Sequence, residues 1–317
     1  MITVLLALLA QDEGTVRGAV RKAIPLLEKS SAHYVEVKTC FSCHHQAIPI
    51  LALSTAKSRG FEVDEKNLKA QAKYTWDSLA AGKEKYGQGK GQGGEVGTAS
   101  YALWTLELSG WKPDDTTALV ATYIAGYGKK DDPWKHTSAR PPSEGSPFTA
   151  TTLAIRSLQT YGTTDQKARI EKAREWLLKT KPVDTEERVF RLRGLKYAGA
   201  EANAIEAAAA ELIATQRDDG GWSQLEKTEC DAYATGTVLY ALHETGMKPA
   251  DEPYRRGVKF LLGSQKEDGS WHVVTRSKPI QKYFESDFPH GKDQFISITA
   301  TGWSVTALAL AAGSASR

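Results

Sequence analysis

Cysteine and methionine are the scarce residues here, with three of the first and two of the second among 317. Three cysteines are odd in number and too few for a disulfide framework, so chemistry is expected of Cys40 and Cys43 rather than stapling. A charge excess is missing too. The 41 basic and 38 acidic residues leave a net charge of +3 with no polybasic stretch, which excludes nucleic acid as a partner. No apolar run reaches the roughly 20 residues that span a bilayer, so no transmembrane segment is expected. Apolar residues are not lacking overall. At 41% hydrophobic and 25% charged, the composition excludes disorder and collagen-like repetition. The length allows one large domain or two ordinary ones with a sizeable core.

Residues 1–10 form a short apolar stretch ending in Ala10 before polar Gln11, Asp12 and Glu13, although no Lys or Arg precedes it. That pattern matches the apolar region and cleavage site of a secretory signal. The expectation is a signal at 1–10, a domain over 11–317, and a periplasmic or secreted location.

Repetition sets the expected architecture. Helical-period stretches close at Gly60, Gly110, Gly162, Gly199, Gly246 and Gly313, glycines suited to the left-handed residue that ends a helix. Before each lies a small, apolar helix: 44–59, 96–109, 148–161, 186–198, 231–245 and 295–312. The fourth is exceptional in carrying Arg191, Arg193 and Lys196. Each is preceded by a more charged amphipathic helix: 15–30, 64–79, 115–124, 165–179, 201–216 and 253–265. Helices apolar nearly all round are buried on more than one side. A linear stack of hairpins needs polar outer faces on its end helices, and the last helix has none. The fold class expected is therefore all-α, an (α/α)6 toroid of six helical hairpins.

The segment from Arg256 through Gln265 to Gly269 and Trp271 resembles the QW repeat of squalene and oxidosqualene cyclases. A second copy, Glu211 through Gln216 to Gly220 and Trp222, lies 49 residues upstream. The amide and indole are expected to meet and pin the outer helix to its loop. The resemblance implies the toroid and an apolar, isoprenoid-like ligand. Squalene-hopene cyclases carry Asp-x-Asp-Asp at the start of an inner helix, where this chain has Asp231, Ala232, Tyr233 and Ala234. A tyrosine near its usual pKa of about 10 is too weak to protonate an alkene, so protonation-initiated cyclisation is not expected. The related protein prenyltransferase β-subunits hold zinc with Asp, Cys and His, which would fall here on Cys230, Asp231 and His290, in a different order and spacing. Small buried thiol and helix cap are the plainer roles for Cys230 and Asp231.

In a ring of hairpins the loops from outer to inner helices share one face. That face is expected to gather 40–45, 87–94, 140–145, 181–184, 226–231 and 288–293. The run Gly87–Gly94 is a flexible connection, because it lacks the strand and Lys-Ser/Thr of a phosphate loop. Inner-helix aromatics Tyr101, Trp104, Phe148, Tyr233, Tyr240 and Trp303 are candidates to line a cavity or to stay in the core.

Cys40-x-x-Cys43-His44 is the sharpest motif. Two thiols three residues apart followed by His is the c-type haem attachment pattern, with His44 as iron ligand. A zinc half-site, a disulfide and inert thiols remain as other readings; zinc needs more ligands than this motif offers. Ring closure would set the sixth inner helix beside the first, making His290 the expected second iron ligand ahead of His33, His136 and His272. The leading functional expectation is an exported toroid with one covalent haem c at its mouth, working with a redox partner protein or oxidising an apolar ligand. The alternative is a haem-free, terpenoid-cyclase-like or prenyltransferase-like enzyme, or an isoprenoid-binding scaffold.

Overall fold

In the computed structural model the described residues are 2–129, 132–137, 139–162, 166–279 and 282–313, with side chains from Thr15 onward. The expected signal segment therefore lies where side chains are outside the described residues; its backbone from Ile2 belongs to the first helix, as Ile2–Val37.

Among the described residues there are thirteen α-helices, twelve of which alternate outer and inner. The outer set is α1 (Ile2–Val37), α3 (Glu65–Ala81), α6 (Asp115–Gly126), α8 (Lys167–Lys179), α10 (Ala202–Ile213) and α12 (Glu252–Ser264). The inner set is α2 (Ile48–Ser58), α5 (Glu95–Leu108), α7 (Pro147–Tyr161), α9 (Thr185–Tyr197), α11 (Ala232–Glu244) and α13 (Gln294–Ala311). The short α4 (Lys83–Gly87) was not expected. A π-helical turn, Cys43–Ala47, precedes α2. Asp165, expected to open an outer helix, lies outside the described residues. Aspartates start several helices by accepting backbone N–H groups: Asp64 on α3, Asp184 on α9 and Asp231 on α11, with a reciprocal capping box between Asp114 and Thr117 on α6. Each such cap is worth about 1 kcal/mol.

The ring is closed. Inner helices pack in the order α2, α5, α7, α9, α11, α13 and back to α2, while α12 touches α1 on the outside. The expected all-α toroid is thus the observed fold. Among the described residues, only isolated bridges, Arg140 with Glu144 and Ser223 with Cys230, resemble strand pairing. One helical window, Gly291–Ala311, is long and apolar enough to cross a membrane, but it is 83% buried as the last inner helix.

Inner helices come close because glycines face their neighbours. A Cβ on Gly236 would lie 2.8 Å from the Trp303 backbone, and one on Gly302 would lie 2.6 Å from Ile48. Buried Thr105, Ser157, Thr237, Thr299 and Thr306 satisfy their hydroxyls on the carbonyl one turn back, so these five polar residues enter the core with their hydroxyls bonded.

The repeat motif works differently from the amide-to-indole contact expected. The Trp222 indole donates to the Leu212 carbonyl of its own outer helix, and Trp271 does the same to Leu261. Gln216 donates to the Gly220 and Pro253 carbonyls, and Gln265 to those of Gly269 and Ala19. Each glutamine thus ties its hairpin to the next outer helix, and Gln265 ties the last hairpin to α1. Glycine is required here: Gly269 has φ +93°, and a Cβ would meet the Lys22 carbonyl oxygen at 2.5 Å. A third tryptophan of this kind, Trp134, donates to the Ile124 carbonyl ten residues before it.

Candidate functional site

The loops at one end of the ring enclose a cavity of about 970 Å³. Its walls come from 40–45, from Lys85 and 92–94, from 140–144, and from Lys292, Phe295 and Ile296. Four of the six loops expected at the mouth are therefore there, while 181–184 and 226–231 are absent from the lining. A long connection that sequence reasoning overlooked, with Thr275, Ser277, Lys278, Pro279, Lys282, Tyr283 and Phe284, supplies another wall. It is held by Ser277, which donates to the Pro141 carbonyl at 2.6 Å, and by Arg276, which donates to Gln224 at 2.7 Å.

Cys40, Cys43 and His44 all line this cavity, as do Tyr34 and His45. Ser42 is the N-cap of the π-helical turn, and its Oγ lies 3.2 Å from both the backbone N and the Nδ1 of His44. That contact fixes the imidazole through Nδ1; Nε2 makes no hydrogen bond among the described residues. Burial lowers the His44 pKa to about 4, with Glu144 opposing and Arg140 adding to the effect. His44 is thus a neutral imidazole at physiological pH, the form that binds metals. His45 is 0% exposed, stacks on Tyr34 with ring centroids 4.5 Å apart, and has a partner for neither ring nitrogen.

The cysteines are free thiols, Cys40 exposed and Cys43 buried. Cys43 donates to Glu144 at 3.3 Å, and Glu144 also pairs with Arg140. Burial first, then the Glu144 charge, pushes the Cys43 thiol well above its usual range. Redox-active dithiols need a depressed thiol pKa, so the environment of Cys43 does not suit disulfide exchange.

His290 does not join this group. Its Nε2 lies 2.7 Å from Ser270 Oγ, and its ring stacks on His272, which in turn pairs with Asp293 at 3.0 Å. The expectation that His290 faces His44 across the cavity is corrected: closure brings α13 beside α2, but His290 precedes α13 by a 3-10 turn and leans toward the 270–272 loop. Neither His33 nor His136 lines the cavity: His33 sits beside Glu36 and Asp287, and His136 packs against Gly97 behind the wall, close enough to feel the same Glu144 and Arg140 charges as His44.

The prenyltransferase-type trio is not assembled. Asp231 caps α11 and accepts from Gln224, and Cys230 is half-buried with its pKa pushed up to about 12 by burial and by Asp219. Among the described residues no group of three or more His, Cys, Asp or Glu side chains is placed to hold a metal ion.

Of the six inner-helix aromatics expected to line a cavity or stay in the core, Tyr101 reaches the cavity, and Phe295 on α13, not among them, does so too. Trp104, Tyr240 and Trp303 instead surround the guanidinium of Arg193, which is 0% exposed and 4.9 Å from the Tyr240 centroid. Arg193 pairs with Glu244 at 2.6 Å and donates to Tyr197 at 3.0 Å. Of the charges on the fourth inner helix, Arg193 is thus part of the ring interior, whereas Arg191 turns to the Leu177 carbonyl and Glu211 of the outer helices and Lys196 is exposed. Beneath the cavity, Tyr233 donates to Glu186 at 3.1 Å and lies 3.1 Å from Ser143 Oγ. Burial, reinforced by Asp184, raises the Glu186 pKa to about 8.

Inner and outer rings of helices with this closure form the all-α toroid of type II terpene cyclases. A variant of the type II terpene cyclase MstE from Scytonema, in complex with merosterolic acid A, matches with a TM-score of 0.62 at 13% identity, over 96% of this chain and 99% of that one. The apo enzyme matches with a TM-score of 0.63 at 12% identity, over 95% and 98%. A protein from Actinoplanes reaches 0.63 at 15% identity, over 94% and 99%. At these identities the likeness establishes the fold. No family model matches the sequence.

Proposed function

We propose that the protein binds a large apolar ligand bearing anionic groups in the cavity at the ring mouth, isoprenoid-like amphiphiles being the class that its structural neighbours point to. The observation that carries this reading is the composition of the cavity lining. Phe41, Phe284, Phe295 and Ile296 offer apolar surface, while Lys85, Arg140, Lys278, Lys282 and Lys292 stand against Glu144, the single acid among the described lining residues. About 970 Å³ lies at the upper end of small-molecule sites. The neighbouring cyclase has been captured with geranylgeranyl dihydroxybenzoate, an isoprenoid chain on a polar ring.

Binding, rather than cyclisation started by an acid, fits the residues present. Asp231 is occupied as a helix cap, and Tyr233 is a buried phenol whose pKa burial and Glu186 raise further. Arg193 also sets a fixed positive charge inside the ring, which disfavours a carbocation nearby.

Titration of the chain with geranylgeranyl phosphate and with geranylgeraniol, followed by calorimetry, tests the reading. Saturable binding is expected for both, tighter for the phosphate, and roughly tenfold weaker for the phosphate in Lys278→Gln/Lys282→Gln. Absence of saturable binding by either compound would overturn it.

A further inference from the structure

We infer that Cys40, Cys43 and His44 form a covalent haem-attachment site and that the cavity in front of them receives the porphyrin. The inference rests on the reading above, that this cavity takes a large apolar body with anionic groups, and names a resident occupant of that class. Haem has an apolar macrocycle and two propionates, which match the aromatic walls and the basic residues.

Three observations carry it. First, the motif is not merely present in sequence: both cysteines and the histidine line the same cavity. Second, His44 is prepared as a metal ligand. Its Nδ1 is fixed by Ser42 at 3.2 Å, the arrangement in which a ligating histidine uses one nitrogen for the metal and the other for an orienting partner. Third, the rings of Phe41, Phe284 and Phe295 and the side chains of Lys278, Lys282 and Lys292 line the same space, giving apolar surface for a macrocycle and basic groups for two propionates.

The chemistry balances without an oxidant. Each Cys S–H adds across one vinyl C=C of the haem; an S–C bond forms at one vinyl carbon, the hydrogen goes to the other, and nothing is released. Attachment of this kind takes place outside the cytoplasm, and an export signal at 1–10 belongs to the same proposal.

The full chain is produced in the periplasm of a host carrying the c-haem maturation system, beside a known c-type cytochrome as control. Expected is haem stain at the chain's mass on a denaturing gel and a pyridine haemochrome spectrum of two thioether bonds. The stain should be lost in Cys40→Ser/Cys43→Ser. A folded chain without stain, with the control cytochrome loaded, overturns covalent attachment. Haem titrated into full chain made in the cytoplasm gives a second reading: a Soret band saturating at one equivalent is expected. His44→Ala should weaken it at least tenfold and His290→Ala leave it unchanged. No saturable band, or equal binding by His44→Ala, also overturns the inference. The two readings fail separately: a stain-free chain that still binds geranylgeranyl phosphate leaves the ligand reading standing, and one that binds neither refutes both.

Discussion

Replacing Glu186 with glutamine should flatten the pH dependence of stability between about pH 5 and pH 8. Glu186 is 5% exposed at the start of α9, and its carboxyl accepts from Tyr233 and Thr149. Burial, then the nearby Asp184, raises its pKa from 4.5 to about 8. At about 1.4 kcal/mol per unit, ionising this group in the folded state costs on the order of 5 kcal/mol. The sign follows from proton counts. Below the unfolded value both states hold the proton and the contribution is fully present. As pH rises, the unfolded chain releases its proton first, so stability falls by about 1.4 kcal/mol per pH unit until the folded group also ionises near its own pKa. Glutamine is neutral throughout, and its amide oxygen can accept from Tyr233. The variant should therefore lie close to the natural chain near pH 5 and exceed it by several kcal/mol near pH 8.5. Urea unfolding of both chains at the two pH values measures this directly. Parallel pH profiles, with the difference between the chains changing by less than about 1 kcal/mol, would refute the account of Glu186 as a buried neutral acid.

Arg193→Met should destabilise by about 3–5 kcal/mol in urea unfolding, because it strands Glu244 in the ring interior, and adding Glu244→Gln should recover part of the loss. Gly236→Ala and Gly302→Ala should each cost about 1–3 kcal/mol, since the new methyl meets the Trp303 backbone or Ile48 where the inner helices cross; thermal melts would show it. His44 should make the protein acid-sensitive. Its folded pKa lies at about 4 against the usual 6.5, so the unfolded chain takes the proton first and stability is lost as pH falls through that window, less steeply in His44→Phe. Incubation with squalene should yield no hopene or other cyclised triterpene, by product chromatography, because Tyr233 and Ala234 stand where the cyclase motif needs aspartates.

Much of the fold was legible in the chain, because a helix's burial is written in its own spacing. Inner helices buried all round, outer helices with one apolar face, aspartates at helix starts and glycines at helix ends are local features, and the structure places the helices within a few residues of expectation except the first, expected over 15–30 and found over Ile2–Val37. The Cys40–His44 motif and the paired glutamine and tryptophan repeats are also local, each held within one hairpin and its loop. Trp134 escaped notice because its loop lacks the Gly-x-Trp spacing, although its bond to Ile124 spans the same ten residues as Trp222 to Leu212.

What tertiary structure alone decided is which distant residues meet. Packing of α13 on α2 closes the ring and so determines that Lys85, Arg140, Lys278 and Lys282 look into one cavity with Cys43. The same closure surrounds Arg193 with aromatic rings from α5, α11 and α13, converting an apparent exception in sequence into an interior ion pair. His290 shows the limit from the other side: its helix arrives beside the first hairpin as expected, yet a single 3-10 turn directs its ring to Ser270 and His272 instead. Sequence periodicity specifies which face of a helix is buried, whereas loop direction and the company a side chain keeps depend on contacts between residues far apart in the chain, which no local pattern encodes.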